Sequence, residues 1–285
     1  MLIKINKDDS SMTIEQIQEH YEIEKELASR LQNSTREERQ HLYTALYDEL
    51  FKRVPYHPQL TQKSSPEASA WVVAQRMQLI SCFLSPDSTF LEVGPGDCSL
   101  SLEIAKHVRK VYAVDVSNEI TKKSSFPENF ELIISDGCTI PVPENSVNIV
   151  YSHQLMEHLH PDDANDQLKN IYKALIPGGN YICITPNRLS GPHDVSKYFD
   201  EVATGFHLKE YTVSELYELF RTAGFSKISL YKSYKQNHLK FPLFPMTVNT
   251  IKVCEEFLSR LPFSLRRKIA STPMLFRGMT IIGTK

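Results

Sequence analysis

The stretch that decides the fold reads Thr89-Phe-Leu-Glu-Val-Gly-Pro-Gly-Asp-Cys-Ser-Leu100, and an apolar segment ending in an acid, Val111-Tyr-Ala-Val-Asp115, follows it. The pattern predicts a buried strand, a tight glycine turn, a helix and a second buried strand. Glycine at 94 and 96 lets the backbone turn sharply and approach a ligand, because no Cβ stands in the way. The stretch therefore predicts a nucleotide-binding loop, with the Asp115 carboxylate placed to accept both ribose hydroxyls.

From Thr89 onward, short apolar segments alternate with helical patterns, which is typical of a parallel sheet covered by helices. We expect strands at about 89–93, 110–115, 130–135, 147–152, 180–185, 227–234 and 279–283. We expect helices at about 97–107, 117–123, 162–175 and 212–223. The predicted fold is an α/β, Rossmann-like, doubly wound and mostly parallel seven-stranded sheet with an N-terminal helical extension.

The chain divides into two predicted parts. Residues 1–84 form a helical extension, in which Thr13 and Thr35 have the spacing of capping boxes that satisfy free amides at a helix start. The extension is long, so we expect it to form a lid over the site where the second substrate binds, or the surface of a homodimer. Residues 85–285 form the Rossmann-like domain, and a segment at about 235–274 looks like an insertion between its last two strands.

Composition excludes several classes of protein. The net charge of −2 gives no electrostatic argument for binding nucleic acid, and the basic cluster Arg266-Arg267-Lys268 is interpreted as a solvated helix end. The five cysteines form no Cys-x-x-Cys pair, which argues against a disulfide framework and against zinc. No signal peptide and no apolar run long enough to span a bilayer are recognised, so a cytoplasmic location is expected.

Five motifs follow one another in a definite order. They are Glu92-Val-Gly-Pro-Gly96, Ala113-Val-Asp115, Ser135-Asp-Gly137, Gln154-Leu-Met-Glu-His-Leu159 and Leu175-Ile-Pro-Gly-Gly179. Together they resemble the class I S-adenosylmethionine-dependent methyltransferases, in particular the methyltransferase type 11 or ubiquinone-biosynthesis-like branch. The resemblance covers about 85–234 and the terminal strand. It implies S-adenosylmethionine as the cofactor.

The resemblance also implies which residues hold the cofactor. In the family, the residues that match Glu92, Gly94 and Gly96 face the methionine part of the cofactor. The residue that matches Asp115 binds the ribose, and the residue that matches Asp136 binds the adenine. The predicted cofactor-binding set is Glu92, Gly94, Pro95, Gly96, Asp115, Val116, Asp136, Gly137 and Ser152. Some quinone O-methyltransferases of this branch carry a metal beside a Glu-His pair. Gln154 stands where an acid would complete that site, so no metal is predicted.

Four histidines are the candidates for catalysis, since a base is needed only where the nucleophile is poorly ionised. His153 and His158 flank the loop after the fourth strand. His193 precedes Asp194, and the neighbouring carboxylate would orient the imidazole as a base. His207 lies in a stretch, 205–212, that resembles one in members that methylate sugars or small metabolites. For each histidine, local hydrogen bonding or helix capping is the alternative to a chemical role.

The sequence therefore predicts an S-adenosylmethionine-dependent methyltransferase acting on a small-molecule or glycosyl acceptor at oxygen. Two alternatives stay open. One is a nicotinamide-dependent oxidoreductase, which Ser99 disfavours because the dinucleotide fingerprint has its third glycine there. The other is a catalytically idle, methyltransferase-like scaffold that binds a partner, which the intact loop and Asp115 disfavour.

Overall fold

A computed structural model describes residues 12–285 except 62–65, 118–120, 122–124, 235–236 and 273–274. The helix expected at about 117–123 lies mostly outside the described residues. Among the described residues, no helix has both the length and the apolar character needed to cross a membrane.

One mixed sheet organises the molecule. Its strands are β1 (Thr89–Val93), β2 (Lys110–Asp115), β3 (Phe130–Ile134), β4 (Val147–His153), β5 (Leu175–Pro186), β6 (Lys227–Tyr234), β7 (Asn237–Leu243) and β8 (Gly278–Thr284). Their order across the sheet is β3-β2-β1-β4-β5-β8-β6-β7. The first five strands pair in parallel, whereas β8 runs antiparallel to both β5 and β6. The predicted doubly wound α/β fold is confirmed.

The prediction of seven strands was wrong by one strand. The described sheet has eight, because residues 237–243, assigned to an insertion, form the edge strand β7 against β6. Leu239, Phe241 and Leu243 alternate with Lys240 and Pro242, which is the period of a strand, and Leu243 is the buried one of these three apolar residues. Pro242 lacks a backbone N–H and fits this position, because the outer side of an edge strand needs no donor.

Helices cover both faces of the sheet. They are α1 (Ile14–Gln32), α2 (Arg36–Arg53), α3 (Pro58–Thr61), α4 (Pro66–Ile80), α5 (Ser99–Ala105), α6 (Pro161–Ala174), α7 (Val213–Ala223), α8 (Pro245–Ser259) and α9 (Phe263–Ala270). The capping boxes expected at Thr13 and Thr35 are both formed. β1 is buried along its whole length, as a central parallel strand requires.

The N-terminal helices share the core of the sheet. Leu27 of α1 and Leu46 of α2 belong to the same buried cluster as Val93 of β1 and Val114 of β2. Ile80 at the end of α4 packs with α5, β1 and β2 on the other face. Therefore α1 and α2 lie over the carboxyl ends of the parallel strands, where ligands bind in open α/β sheets.

Candidate cofactor and acceptor site

The glycine loop between β1 and α5 has the geometry that its sequence demands. Gly94 has φ +69° and Gly96 has φ +58°, a region that favours glycine. The Gly94 N–H donates to the Val114 carbonyl at 2.8 Å, which ties the loop to the end of β2. A Cβ on Gly94 would lie 3.1 Å from Leu155 of the loop after β4. Cys98 also adopts the left-handed region, at φ 61°.

Asp115 is held rigidly at the end of β2. Its Oδ1 accepts the N–H groups of Val116 at 2.7 Å and Ser117 at 3.3 Å, and its Oδ2 accepts the Gly96 N–H at 3.3 Å. Burial raises the pKa of this carboxyl above its ordinary value, and the three backbone donors offset part of that effect. Lone pairs remain on Oδ2 for a ligand, so Asp115 can both hold the loop closed and accept hydrogen bonds from a diol.

A cavity opens beside this loop, with an empty volume of about 990 Å³ that includes open solvent at its mouth. Predicted cofactor residues on its wall are Gly94, Gly96, Asp115, Val116 and Gly137. The remaining lining residues are Tyr43, Tyr47, Phe51, Gln59, Val93, Val114, Ser117, Thr139, Ile140, Gln154, Leu155, His158, Leu159 and Gln167. The cavity thus joins the glycine loop to a largely aromatic end that contains His158.

The other predicted cofactor residues do not line the cavity. Glu92 is 2% exposed and accepts a hydrogen bond from the Ser101 hydroxyl behind the loop. Burial raises the pKa of Glu92 to about 7. Ser152 is buried and bonded to the Tyr181 hydroxyl at 2.8 Å. Pro95 shapes the turn without facing the space. In this geometry Glu92 and Ser152 stabilise the strands and do not face the cavity.

The carboxylate of Asp136 accepts hydrogen bonds from its own loop. Its Oδ1 accepts the N–H groups of Cys138 and Thr139 at 2.9 and 2.6 Å, and its Oδ2 accepts the Thr139 hydroxyl at 2.9 Å. Burial alone would raise the pKa of Asp136, but these donors lower it. The adjacent Gly137 lines the cavity with φ +84°, while Asp136 borders a smaller neighbouring cleft with Arg39. The acid therefore fixes the turn that presents Gly137.

Helix α2 supplies a wall that the motifs did not reveal. Tyr43, Tyr47 and Phe51 recur at four-residue spacing and all line the cavity. Aromatic residues at this spacing on a predicted helix were the available signal for the cavity wall. The same spacing is equally typical of a helix that packs into an ordinary core. Thr44 on the same helix donates to the Val116 carbonyl at 2.6 Å, which joins α2 to the loop after β2.

A buried ion pair holds α2 in place. Arg39 donates from Nε and Nη2 to both oxygens of Asp163 on α6, at 2.7 and 3.0 Å. The Tyr43 hydroxyl also donates to Asp163, at 2.8 Å, and accepts the His160 N–H at 2.9 Å. A bidentate arginine pair with these extra partners has the geometry in which a buried salt bridge is well compensated. It positions Tyr43, and with it the aromatic row.

Of the four candidate histidines, His158 lines the cavity. Its Nδ1 lies 3.1 Å from the Phe206 carbonyl, which can only accept, so Nδ1 carries the proton and Nε2 is left as an acceptor. Burial and the nearby His207 lower the pKa of His158 to about 3, so the ring is neutral near pH 7. Tyr47 stacks on Phe206, with ring centroids 5.1 Å apart, and closes this end of the cavity.

His193 and His207 meet at one carboxylate. Glu210 Oε1 lies 3.2 Å from His193 Nδ1 and 2.8 Å from His207 Nδ1, and it also accepts the His193 backbone N–H at 2.8 Å. Burial alone would raise the pKa of Glu210, but its histidine partners lower it to about 2. Burial likewise opposes the charge of His207, yet Glu210, Glu157 and Asp194 raise the pKa of that ring. The rings of His158 and His207 meet edge to face at 4.8 Å.

His153 is apart from this group. Its Nδ1 lies 3.4 Å from Nη2 of Arg76 on α4, toward the other face of the sheet. Burial, with the charge of Arg76, lowers the pKa of His153 to about 4. The structure therefore brings His158, His193 and His207 together and leaves His153 outside the cavity wall.

A second buried charge cluster lies between α1 and the chain around Phe206. Glu24 accepts from His20 Nε2 at 2.8 Å and from the Phe206 N–H at 3.2 Å, and His57 Nε2 is 3.8 Å away. Burial alone would raise the pKa of Glu24, but the two histidines lower it to about 2. Glu210 and this cluster were not predicted from the sequence: His207 and His20 are near neighbours of the two acids in sequence, but the Phe206 N–H that Glu24 accepts lies 182 positions away.

Among the described residues, two groups have ligand atoms close enough to share a metal ion: His20, Glu24 and His57, and Glu157, His158 and His207. His57 Nδ1 accepts the Gln59 N–H at 3.2 Å, so its Nε2 carries the proton, which does not suit a ligand. Glu157 is fully buried, and its Oε1 has no hydrogen-bond partner, so the second group is the better match to ligand chemistry.

Comparisons with known proteins bear on this site. The family described as "Methyltransferase domain" matches residues 91–183. A "Probable S-adenosylmethionine-dependent methyltransferase" of Mycolicibacterium smegmatis is 30% identical over 137 residues, covering 47% of this chain and 51% of the relative. A Mycobacterium tuberculosis protein of the same description is 29% identical over 161 residues, covering 55% and 56%. The chain spans about half the length of these curated relatives.

Solved structures share the fold. An S-adenosylmethionine-dependent methyltransferase of Archaeoglobus fulgidus superposes with a TM-score of 0.51 at 18% identity, covering 76% of this chain and 94% of that one. A chain from the complex of the Haloferax volcanii Trm112 methyltransferase activator with a methyltransferase gives 0.52 at 16% identity, covering 76% and 90%. The match at residues 91–183 bears out the methyltransferase family predicted from the five motifs, and the names of the curated relatives agree with the predicted cofactor. This part of the chain is a class I S-adenosylmethionine-dependent methyltransferase domain.

Proposed function

We propose that this protein transfers a methyl group from S-adenosylmethionine to a hydroxyl oxygen of a small-molecule or glycosyl acceptor. The observation that carries the proposal is one cavity with two chemically different ends. The glycine loop and Asp115 form one end, and Tyr47, Phe51 and His158 form the other. The names of the curated relatives support the reaction class.

The first end fits the donor. Asp115 would hold the ribose diol, since its Oδ2 has capacity beyond the Gly96 N–H. Gly94 and Gly96 would let the amino-acid part approach the backbone, and Gly137 with Val116 would lie beside the base. Bound S-adenosylmethionine supplies a methyl group already activated on a sulfonium. The protein's own contribution is then to orient the acceptor and to exclude water.

The second end fits a hydroxyl-bearing ring. Tyr47 and Phe51 offer aromatic surface on which the apolar face of a sugar or a small ring can pack, and Gln59 adds an amide. His158 Nε2 is an acceptor for a hydroxyl proton, because Nδ1 is committed to the Phe206 carbonyl. A neutral, weakly basic ring suffices, since a hydroxyl that is being methylated becomes much more acidic. This acceptor nitrogen is the reason to propose oxygen as the methylated atom.

The helical extension would act as the lid of this site. α2 and α3 contribute Tyr43, Tyr47, Phe51 and Gln59 to the wall, and the Glu24 cluster ties α1 to the chain at Phe206. Closure by these helices would keep water from the reacting centre. Acceptor choice would then depend on the extension, whereas donor binding would depend on the loops after β1 and β2.

The test has two arms. Calorimetry on the intact chain should show saturable heat with S-adenosylhomocysteine and none with NAD. Incubation with methyl-labelled S-adenosylmethionine and fractionated small-molecule extract should then label a product in which the new methyl is on oxygen. Absence of heat with both forms of the methionine cofactor would overturn the proposal. Label on nitrogen or carbon would overturn only the assignment of oxygen.

A further inference from the structure

Exposed apolar side chains are concentrated in one part of the chain. Of fourteen large apolar side chains that stay exposed in the described chain, eight lie between 239 and 277. They are Leu239, Phe241, Phe244, Met246, Val253, Phe257, Leu265 and Leu275. The other six are scattered over the rest of the chain. Single exposed apolar residues need no explanation, but such a concentration marks an interaction surface.

Helix α8 has two opposite apolar faces. Val248 and Leu258 are buried against the domain, at 4% and 7% exposure. Met246, Val253 and Phe257, at spacings of seven and four, form a stripe on the other side and are 73%, 67% and 64% exposed. We call these three residues the outer stripe. A helix that covers a domain needs one apolar face, so the outer stripe is not explained by the fold.

The outer stripe does not result from a loosely attached helix. Glu255, on the inner face, is 4% exposed, and its Oε1 accepts the Val213 N–H at 2.8 Å at the start of α7. Its Oε2 accepts the Ser214 hydroxyl at 2.5 Å. A carboxylate at a helix N-terminus is well placed for the helix dipole, so α8 is firmly docked. Leu258 also packs with Leu189 of the loop after β5.

The segment that carries the outer stripe is basic. Residues 239–277 contain seven Lys and Arg against two Glu, a net charge of +5, although the whole chain has −2. Arg260, just after α8, follows Phe257 by three residues, and Lys268 follows Leu265 by three on α9, so these two apolar residues each have an exposed cation nearby, whereas the exposed Glu256 has the same spacing from Val253. The earlier interpretation of Arg266-Arg267-Lys268 as merely a solvated helix end leaves this pattern unexplained.

We propose that the outer stripe, with Leu265, Arg260 and Lys268, docks the protein onto the surface of an anionic phospholipid bilayer. Apolar side chains that enter the headgroup boundary and flanking Lys or Arg that meet lipid phosphates are the two components of peripheral membrane binding. A second copy of this chain fits less well. A twofold dimer through this surface would place two net-positive segments face to face.

The test is co-sedimentation of the intact chain with vesicles of phosphatidylcholine alone or mixed with phosphatidylglycerol. Binding is expected to the mixed vesicles at low salt and should fall as salt rises. The variant Val253→Ser with Phe257→Ser should bind at least about tenfold more weakly because apolar contact is lost. The variant Arg260→Ala with Lys268→Ala should bind roughly 30-fold more weakly, since each basic residue near an anionic surface contributes about fivefold.

Trp71→Ser is the matched control, because Trp71 is 65% exposed on α4, on the opposite face of the sheet. It should bind like the unchanged chain. Thermal melting should be similar for all variants, which shows that they fold. The proposal is overturned if the unchanged chain ignores anionic vesicles at low salt, or if the outer-stripe variant binds as well as the Trp71 control. It is also overturned if sedimentation equilibrium gives a dimer that the outer-stripe variant alone abolishes.

Discussion

The two ends of the cavity are built by different means. At the donor end, backbone conformation does most of the work, with Gly94, Gly96 and Gly137 at positive φ and Asp115 bound to backbone amides. At the proposed acceptor end, buried side chains hold the structure: Glu24 lies beside His20 and His57, and Glu210 lies beside His193 and His207.

This difference explains which parts of the site tolerate changes in sequence. A backbone cradle depends on local sequence and a few glycines, so it can be kept while everything around it varies. A buried charge cluster depends on several distant residues at once, because each charge needs its partners to offset desolvation. The acceptor end is therefore expected to respond strongly to single substitutions in stability, and the donor end in cofactor affinity. The predictions below separate those two responses.

The largest expected effect is at the acceptor end, for Glu24→Gln. The histidines lower the pKa of Glu24 from 4.5 to about 2, so its charge contributes about 3 kcal/mol to folding at neutral pH. That contribution is present above pH 4.5 and is lost as pH falls toward 2. Glutamine keeps an acceptor for the Phe206 N–H but removes the charge, so unfolding by urea should show a loss of about 3 kcal/mol at pH 7.

Glu22→Gln is the matched control, on the same helix but exposed. Its effect should stay within about 0.5 kcal/mol, as is usual at the surface. Equal stability of the two variants would contradict the view that the Glu24 cluster fastens α1 to the acceptor end. Unchanged affinity for S-adenosylhomocysteine in Glu24→Gln, with folding intact, would support the separation of the two ends.

The next effect is at the donor end, for Asp115→Ala. A hydrogen bond to a charged group contributes about 1.5–3 kcal/mol, so affinity for S-adenosylhomocysteine should fall roughly 10- to 100-fold in calorimetry. Asp115→Asn should lose less, since the amide oxygen can still accept the Val116 N–H. Burial raises the pKa of Asp115, so binding should weaken on acidification at a higher pH than an exposed aspartate would give. Equal affinities for all three proteins would break the donor assignment.

The contrast also shows what the sequence could predict. The strand ends, the glycine turn and Asp115 lie within one short stretch, so their geometry follows from local rules. The aromatic row Tyr43, Tyr47 and Phe51 has a helical period, but periodicity does not tell a cavity wall from a core. Glu24 and Phe206 are separated by 182 positions, and a contact of that kind depends on the packing of the finished fold.

Glu92 illustrates a subtler limit. The sequence places it correctly at the end of β1, yet alternation along a strand determines which side its carboxylate faces only when the partner layers are known. Ser101 of α5 receives it instead of the cavity. Asp136 likewise stands where expected, and its own turn uses its oxygens.

A smaller effect is expected where the two ends meet, for His158→Gln. Loss of the acceptor nitrogen should lower the rate of methyl transfer about tenfold, below the roughly 100-fold or more of a typical general base, because the ring is a weak base. S-adenosylhomocysteine affinity should change less than twofold. Transfer to the acceptor identified by labelling is the measurement, and His107→Gln, an exposed histidine after α5, is the control. A rate equal to that control would exclude His158 from the reaction.

The smallest effect tests whether the donor end touches α2, through Gly137→Ala and Gly178→Ala. Both glycines have positive φ, +84° and +81°, so either alanine should cost about 1 kcal/mol in backbone strain. A Cβ at Gly178 meets nothing within 4 Å, but one at Gly137 would lie 3.2 Å from Val116 Cγ1 and 3.3 Å from the Tyr43 ring. Tyr43 cannot move freely, because Asp163 and His160 hold its hydroxyl. Gly137→Ala should therefore lose more stability to urea than Gly178→Ala and also weaken S-adenosylhomocysteine binding, and equal losses would mean that α2 yields at this contact.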